Sequence, residues 1–148
     1  MRALVQRVRR ASVEIAGEVT ASIGRGYLVL LGVGHEDARE DADRLWVKLR
    51  DLRINEDANG KTNLSLADVD GEVLVVSQFT LYADCRRGRR PSFTDAGDPA
   101  LARELYEYFC ELVRRDTGRV ETGTFAADMQ VGLVNDGPFT VMLDTDLL

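Results

Sequence analysis

The sequence is short of the side chains from which reactive centres are most often built. It has a single histidine, His35, and two cysteines, Cys85 and Cys110, in 148 residues. Any Ser–His–Asp or Cys–His arrangement would therefore have to use His35. That residue lies in "GVGHED", just ahead of a helical pattern, where a capping or exposed loop histidine is the better reading. No Cys/His group has metal-ligand spacing, so neither a metal nor a cofactor is expected. "GVGHED" and "GRG" lack the Lys–Ser/Thr and glycine spacing of a phosphate loop. Two cysteines make no disulfide framework and point to a reduced, cytoplasmic chain. Cys110 falls within a helical pattern as a small buried residue, and Cys85 has arginine neighbours but no base to make it a nucleophile. Asp68 and Asp70 read as solvated loop carboxylates. The longest apolar run, Tyr27 to Val33, is too short to span a bilayer. The opening "MRALVQRVRRASVEI" has no charged segment followed by an apolar block and cleavage site, so no signal peptide is expected.

What is present fits one domain, residues 1–148, with 45% hydrophobic residues for a core and 30% charged residues for a solvated surface. A net charge of −6 argues against general coating of nucleic acid, and no DNA or membrane partner is expected. The arginines are nevertheless uneven: "CRRGRRPSF" puts Arg86, Arg87, Arg89 and Arg90 on one stretch, which Gly88 and Pro91 mark as a loop. Such a loop is either a solvated run or a set of guanidinium forks for phosphate.

"ALVQRVRRASVEI", the turn "AGE" and "VTASIG" predict a strand hairpin. "GYLVLLGV" predicts a strand buried on both faces. A helix is expected from about Asp37 to Arg53, with Asp37 as N-cap and Ala38, Ala42, Leu45, Trp46, Leu49 and Leu52 on its apolar face. "NEDANGKTN" reads as a polar loop with a tight turn at Asn59–Gly60. "EVLVVSQFTLY" is a further strand. A second helix is capped by Asp98, with Pro99 in its first position, and ends at Gly118. "RVETGTF", "MQVGLVN" and "PFTVMLD" give two or three strands more. The fold class is thus α/β, in the order β2-(βα)2-β3. Two helices cannot cover both faces of so much sheet. They are expected on one face, with strands or a second subunit against the other.

Two stretches stand out for chemistry. "SQFTL" (Ser77 to Leu81) ends a central strand, where its polar groups and backbone N–H groups can meet a ligand; a strand simply fraying into a loop is the plainer alternative. "NDGPFT" (Asn135 to Thr140) interrupts a strand with Gly137 and Pro138, which admits either a turn or a close approach of backbone to ligand.

Taken together, "SQFTL", "RPSF" (Arg90 to Phe93), "ADMQV" (Ala127 to Val131) and "NDGPFT", in that order along the whole chain, resemble the D-aminoacyl-tRNA deacylases. The family's usual Asn-x-Gly-Pro-Val-Thr has Phe139 in place of valine here. The resemblance implies a homodimer, a layered β/β/α sandwich whose sheets face each other across the interface, and hydrolysis of the ester of D-aminoacyl-tRNA. It also implies that Gly137–Pro138 is cis and enters the partner's active site. There main-chain carbonyls would exclude an L-side chain while passing glycine, as in glycyl-tRNA mischarged on tRNA(Ala). On that likeness Ser77, Gln78, Phe79 and Thr80 are the catalytic set, with oxyanion donors around Phe79 and Thr80. Ala127, Met129, Asn135, Phe139 and Thr140 line the substrate pocket. Arg86, Arg87, Arg89 and Arg90 meet tRNA, with Arg7 and Arg9 adding to them. Thr80 has no base beside it, so attack by water assisted by the ribose 2′-hydroxyl is favoured over a Thr80 nucleophile. The rivals are a non-catalytic RNA-binding dimer and a Thr-nucleophile esterase of small substrates.

Overall fold

Strands dominate the beginning and end of the chain, as the alternating pattern predicts. A computed structural model describes all 148 residues. β1 (Arg2–Ile15) turns through Ala16 and Gly17, both at positive φ, into β2 (Glu18–Ile23), and β3 is Gly26–Gly32. Helix α1 (Arg39–Arg50) follows, then the short strands β4 (Asn55–Glu56) and β5 (Thr62–Leu64), and β6 (Glu72–Ser77). Helix α2 (Pro99–Thr117), β7 (Glu121–Thr122) and β8 (Gln130–Asp144) complete the chain.

The main sheet runs β2-β1-β3-β6-β7, with β8 also paired to β1. β1 meets β3 through Arg2–Val8, β2 through Ala11–Ile15, and β8 from Arg2 to Glu14, all antiparallel. β3, β6 and β7 are parallel. Both helices pack on one face, over Tyr27, Val29 and Leu31 of β3 and Val73 and Val75 of β6. The alternate residues Leu28, Leu74 and Val76 bury themselves against Val8, Ala11 and Val13 of β1 and Ala21 and Ile23 of β2. The second face is therefore covered by the sheet's own curled end, so Tyr27–Leu31 of β3 and Val73–Val76 of β6 are apolar throughout. β1 serves both cores by changing face. Ala3 and Val5 point to the helices, whereas Val8, Ala11 and Val13 point the other way, and register breaks against β8 fall between Gln6 and Arg10. A bulge there shifts the side-chain alternation by one, which is why the sequence alternates only loosely.

Three expectations are corrected. α1 begins at Arg39, not Asp37, and Leu52 lies beyond its end. Asp37 is drawn elsewhere: its carboxylate accepts from the Met1 ammonium at 2.6 Å, from Gly34 N and from Tyr82 Oη at 3.3 Å. Ala38 takes the N-cap position, its N–H donating to Asp41 Oδ2 at 2.9 Å. The Asn59–Gly60 turn joins β4 to β5 rather than lying in a plain loop, with Gly60 at φ +74°. The tail holds two strands, within the two or three expected but not the three that end the order β2-(βα)2-β3, because β8 continues through "NDGPFT". α2 matches its expected limits, with Asp98 accepting from Ala100 N and Leu101 N at 2.9 and 3.2 Å and Gly118 closing it at φ +76°.

Candidate active site

The parallel strands β3 and β6 end side by side, and β6 stops at Ser77 because the chain folds over their carboxyl ends. Gln78 N still donates to Leu31 O at 2.8 Å, and Phe79–Tyr82 then form one turn of 3₁₀ helix. The glycines of "LGVG" make room for it. A Cβ on Gly32 would stand 3.1 Å from Gln78 O and Leu81 Cβ, and one on Gly34 would stand 2.9 Å from the Tyr82 ring. The N–H groups of Phe79 and Thr80 open the turn and have no carbonyl within it to bond. Leu81 N is the first to do so, donating to Gln78 O at 3.2 Å. The Thr80 hydroxyl accepts from the Gln78 amide, which cannot act as a base.

Below the turn, Arg2 donates from Nη1 to Leu81 O at 3.0 Å and from Nε to Asp144 Oδ2 at 2.8 Å, with its guanidinium 4.4 Å from the Tyr82 ring centre. Burial, reinforced by the Asp37 charge, pushes the Tyr82 hydroxyl well above its ordinary range. A cavity of about 580 Å³ opens beside the turn. Ser77, Gln78 and Phe79 line one side, and Ala127 and Met129 line another, together with Ala102 of α2 and Phe125. The segment carrying Phe125 to Met129 follows β7, and it lies close because Gly123 has no side chain. A Cβ there would be 2.8 Å from Met129 Sδ.

"NDGPFT" forms a bulge. Thr140 opposes Gln6 and Asn135 opposes Val8, so Asp136 to Phe139 stand out from the ladder. Gly137–Pro138 is a cis peptide and both residues are exposed. Gly137 sits at φ +142°, where an added Cβ would stand 3.0 Å from Arg7 Nη2 and from Phe139 N. Asn135 closes the bulge: Oδ1 accepts from Phe139 N at 2.6 Å, and Nδ2 donates to Thr140 Oγ1 at 2.9 Å. Arg7 anchors it, donating from Nε to Asp136 O at 2.7 Å and from Nη1 to Ile54 O, with Phe139 5.0 Å beneath.

Within one chain the expected residues thus fall into two groups. Ser77, Gln78, Phe79, Ala127 and Met129 share the cavity, with Thr80 in the same turn; Asn135, Gly137, Pro138, Phe139 and Thr140 lie apart from it. Arg7 does not join a basic surface, because it is only 6% exposed and its guanidinium is taken up by carbonyls. Arg9 is exposed and pairs with Asp136 at 3.2 Å. In the arginine loop, closed by paired hydrogen bonds between Asp84 and Ser92, Arg86 pairs with Asp84 at 2.7 Å and holds that carboxyl down at about 2. Arg87, Arg89 and Arg90 are exposed and pair with no carboxylate. His35 is an exposed loop residue whose ring meets Asp95 O at 3.1 Å. No group of three His, Cys, Asp or Glu side chains is placed to hold a metal ion. Phe125 and Ala102 were not expected in the site. The "GTF" before "ADMQV" was the available signal for Phe125, whereas Ala102 reads only as helix interior.

The model of the D-Tyr-tRNA(Tyr) deacylase family matches residues 4–144. The D-aminoacyl-tRNA deacylase of Anaeromyxobacter dehalogenans is 59% identical over 98% of this chain and 97% of its own. That of Thermotoga petrophila is 55% identical over 100% and 99%. Among solved structures, the c-Myc DNA unwinding element binding protein superposes with a TM-score of 0.92 at 41% identity, covering 97% of this chain and 98% of its own. A probable eukaryotic D-amino acid tRNA deacylase, 20% identical, shares the fold with a TM-score of 0.83 over 96% and 97%.

Proposed function

The chain belongs to the D-Tyr-tRNA(Tyr) deacylase family, a hydrolase of the aminoacyl-tRNA ester, and we propose that its main chain performs both the catalysis and the chiral selection. The observation that carries this reading is the pair of N–H groups at Phe79 and Thr80, unpaired within their turn, beside a largely apolar cavity whose one lining carboxylate is Asp128. Terminal adenosine occupies the cavity, oriented by Ser77 and Gln78. The two N–H groups receive the oxyanion that forms when the ester carbonyl is attacked. Water attacks with help from the substrate's ribose 2′-hydroxyl, so a 2′-deoxy terminus should be a poor substrate. A Thr80 nucleophile is disfavoured by the amide that holds its hydroxyl.

Selection is assigned to Gly137 and Pro138, acting in the cavity of a second copy. Their exposure, and their distance from their own chain's cavity, support this, as do the exposed Leu133 and Met142 on the same strand. In that arrangement main-chain carbonyls fill the space of an L-side chain, whereas D-residues and achiral glycine pass, including glycine mischarged on tRNA(Ala). Arg87, Arg89 and Arg90 hold the acceptor stem, and the protein works in the cytoplasm as a homodimer without cofactor. No helix is long and apolar enough to cross a membrane.

Incubation with D-Tyr-tRNA, L-Tyr-tRNA and Gly-tRNA tests the reading: the first and last should be hydrolysed and the second spared. Equal hydrolysis of both tyrosyl esters, or of neither, would overturn it. Gly137→Ala should lose activity or discrimination while still binding tRNA. The DNA-binding relative makes single-stranded DNA the necessary competitor, and a tighter grip on it than on tRNA would favour a binding role. Removing the acid in Asp84→Asn frees Arg86, so tRNA binding should tighten and the salt dependence steepen by about 0.7 to 0.9 in log–log slope.

A further inference from the structure

The Phe79 ring has no part in the donor role of its backbone, yet it stands 54% exposed at the mouth of the cavity. It is also held in place. Phe93 meets it edge to face, with ring centres 5.0 Å apart and planes at 67°. Phe93 is itself fixed by the closed arginine loop before it, through Ser92 N to Asp84 O at 2.9 Å, and by the turn after it, through Ala96 N to Phe93 O at 3.1 Å. Three residues before Phe93 is Arg90, at most about 11 Å away along the chain. Arg87, Arg89 and Arg90 carry no partner carboxylate. By contact and then along the chain, therefore, an apolar cavity, an exposed and braced aromatic ring and three free guanidinium groups follow in that order.

A single-stranded RNA end fits this order: one nucleoside in the cavity, the preceding base on the ring, and its phosphate toward the arginines. We propose that Phe79, braced by Phe93, is a stacking step for the base preceding the aminoacylated adenosine. The inference rests on the deacylase reading and extends it from one nucleoside to the next. Stacking on an aromatic side chain is indifferent to the identity of the base, which suits an enzyme that serves many tRNAs. An apolar partner such as a second copy of the chain would use the same ring without regard to the base.

The test compares three D-tyrosyl esters: adenosine, the trinucleotide CCA, and the same trinucleotide with the middle base removed but its phosphates kept. Wild-type protein should have a kcat/KM about tenfold higher on CCA than on adenosine, mainly through KM. The abasic trinucleotide should lose most of that advantage. Phe93→Leu, and independently Phe79→Leu with its N–H retained, should bring the CCA-to-adenosine ratio near unity. An abasic substrate as good as CCA would overturn the proposal by leaving only phosphate contacts. An equal loss on CCA and adenosine in both variants would also overturn it, by assigning the rings to bracing the turn or a subunit contact. If wild-type protein hydrolyses none of the three esters, the deacylase reading itself fails. Hydrolysis of all three at one rate defeats only the stacking step.

Discussion

The turn at Ser77–Tyr82 and the bulge at Asn135–Thr140 are both held by an arginine of β1 that grips a main-chain carbonyl, but in unlike surroundings. Arg2, about a third exposed, reaches Leu81 O and shares its charge with Asp144. Arg7, nearly buried, spends its guanidinium on Asp136 O and Ile54 O, with Glu56 at 3.7 Å as its nearest carboxylate. A surface ion pair is largely compensated by water, whereas a buried carbonyl that loses its donor has no replacement. The bulge should accordingly be rigid and costly to disturb. The turn should be cheaper to unsettle and more sensitive in rate than in stability.

The largest expected effect is at Arg7. Arg7→Met should cost about 3 kcal/mol in urea unfolding, because two carbonyls are left without a donor. A loss no greater than that of an Arg2 variant would break the contrast. Next, Asn135→Ala should cost about 1–2 kcal/mol by unfastening Phe139 N and Thr140 Oγ1. It sharpens the contrast by separating the bulge's own closure from its anchor. Arg2→Gln should cost about 1 kcal/mol or less of stability. Its deacylation rate should nonetheless fall about tenfold at little change in KM, since a small displacement of the turn moves both proposed oxyanion donors. Unchanged kcat would remove Arg2 from the support of the site.

The smallest effect at neutral pH concerns the core behind both regions. Burial pushes the Cys110 thiol from 9.0 up to about 12, and the Tyr27 hydroxyl from 10.0 to about 12. Both groups stay neutral in the folded chain after they would ionise in the unfolded one. Their contribution is therefore complete below the ordinary values and is lost as pH rises toward about 12. Unfolding followed from pH 8 to 12 should show that decline, and Cys110→Ala should flatten part of it. In native protein at pH 8, iodoacetamide should modify exposed Cys85 and leave Cys110 untouched.

Much of this was legible in the sequence, and the reasons are local. "GYLVLLGV" carries its double burial in its composition, and Asp98, Pro99 and Gly118 state both ends of α2. Asp37 misled because a capping residue is recognised by its neighbours in sequence, while its carboxylate is claimed by Met1, Gly34 and Tyr82. Arg7 misled for a similar reason. Alternation places it on β1 but does not reveal that the ladder slips opposite it and folds the bulge over its side chain. Gly137 and Pro138 announced an irregularity without saying that β8 would run on through it. The cavity was visible only as short motifs, because its shape depends on glycines at 32, 34 and 123 whose effect is on residues distant in sequence.

The pairing of β1 with β8 has a consequence for how the protein is made. The two strands are separated by nearly the whole chain, and both arginine anchors sit on the first while their partners Asp136 and Asp144 sit on the last. Contacts between such distant segments form late, since the loop between them must close first. A nascent chain can complete its helices and the parallel strands β3 and β6 before β8 leaves the ribosome. Neither the turn nor the bulge is then anchored, and both gain their arginine grip on main chain in its final form only when β8 closes onto β1.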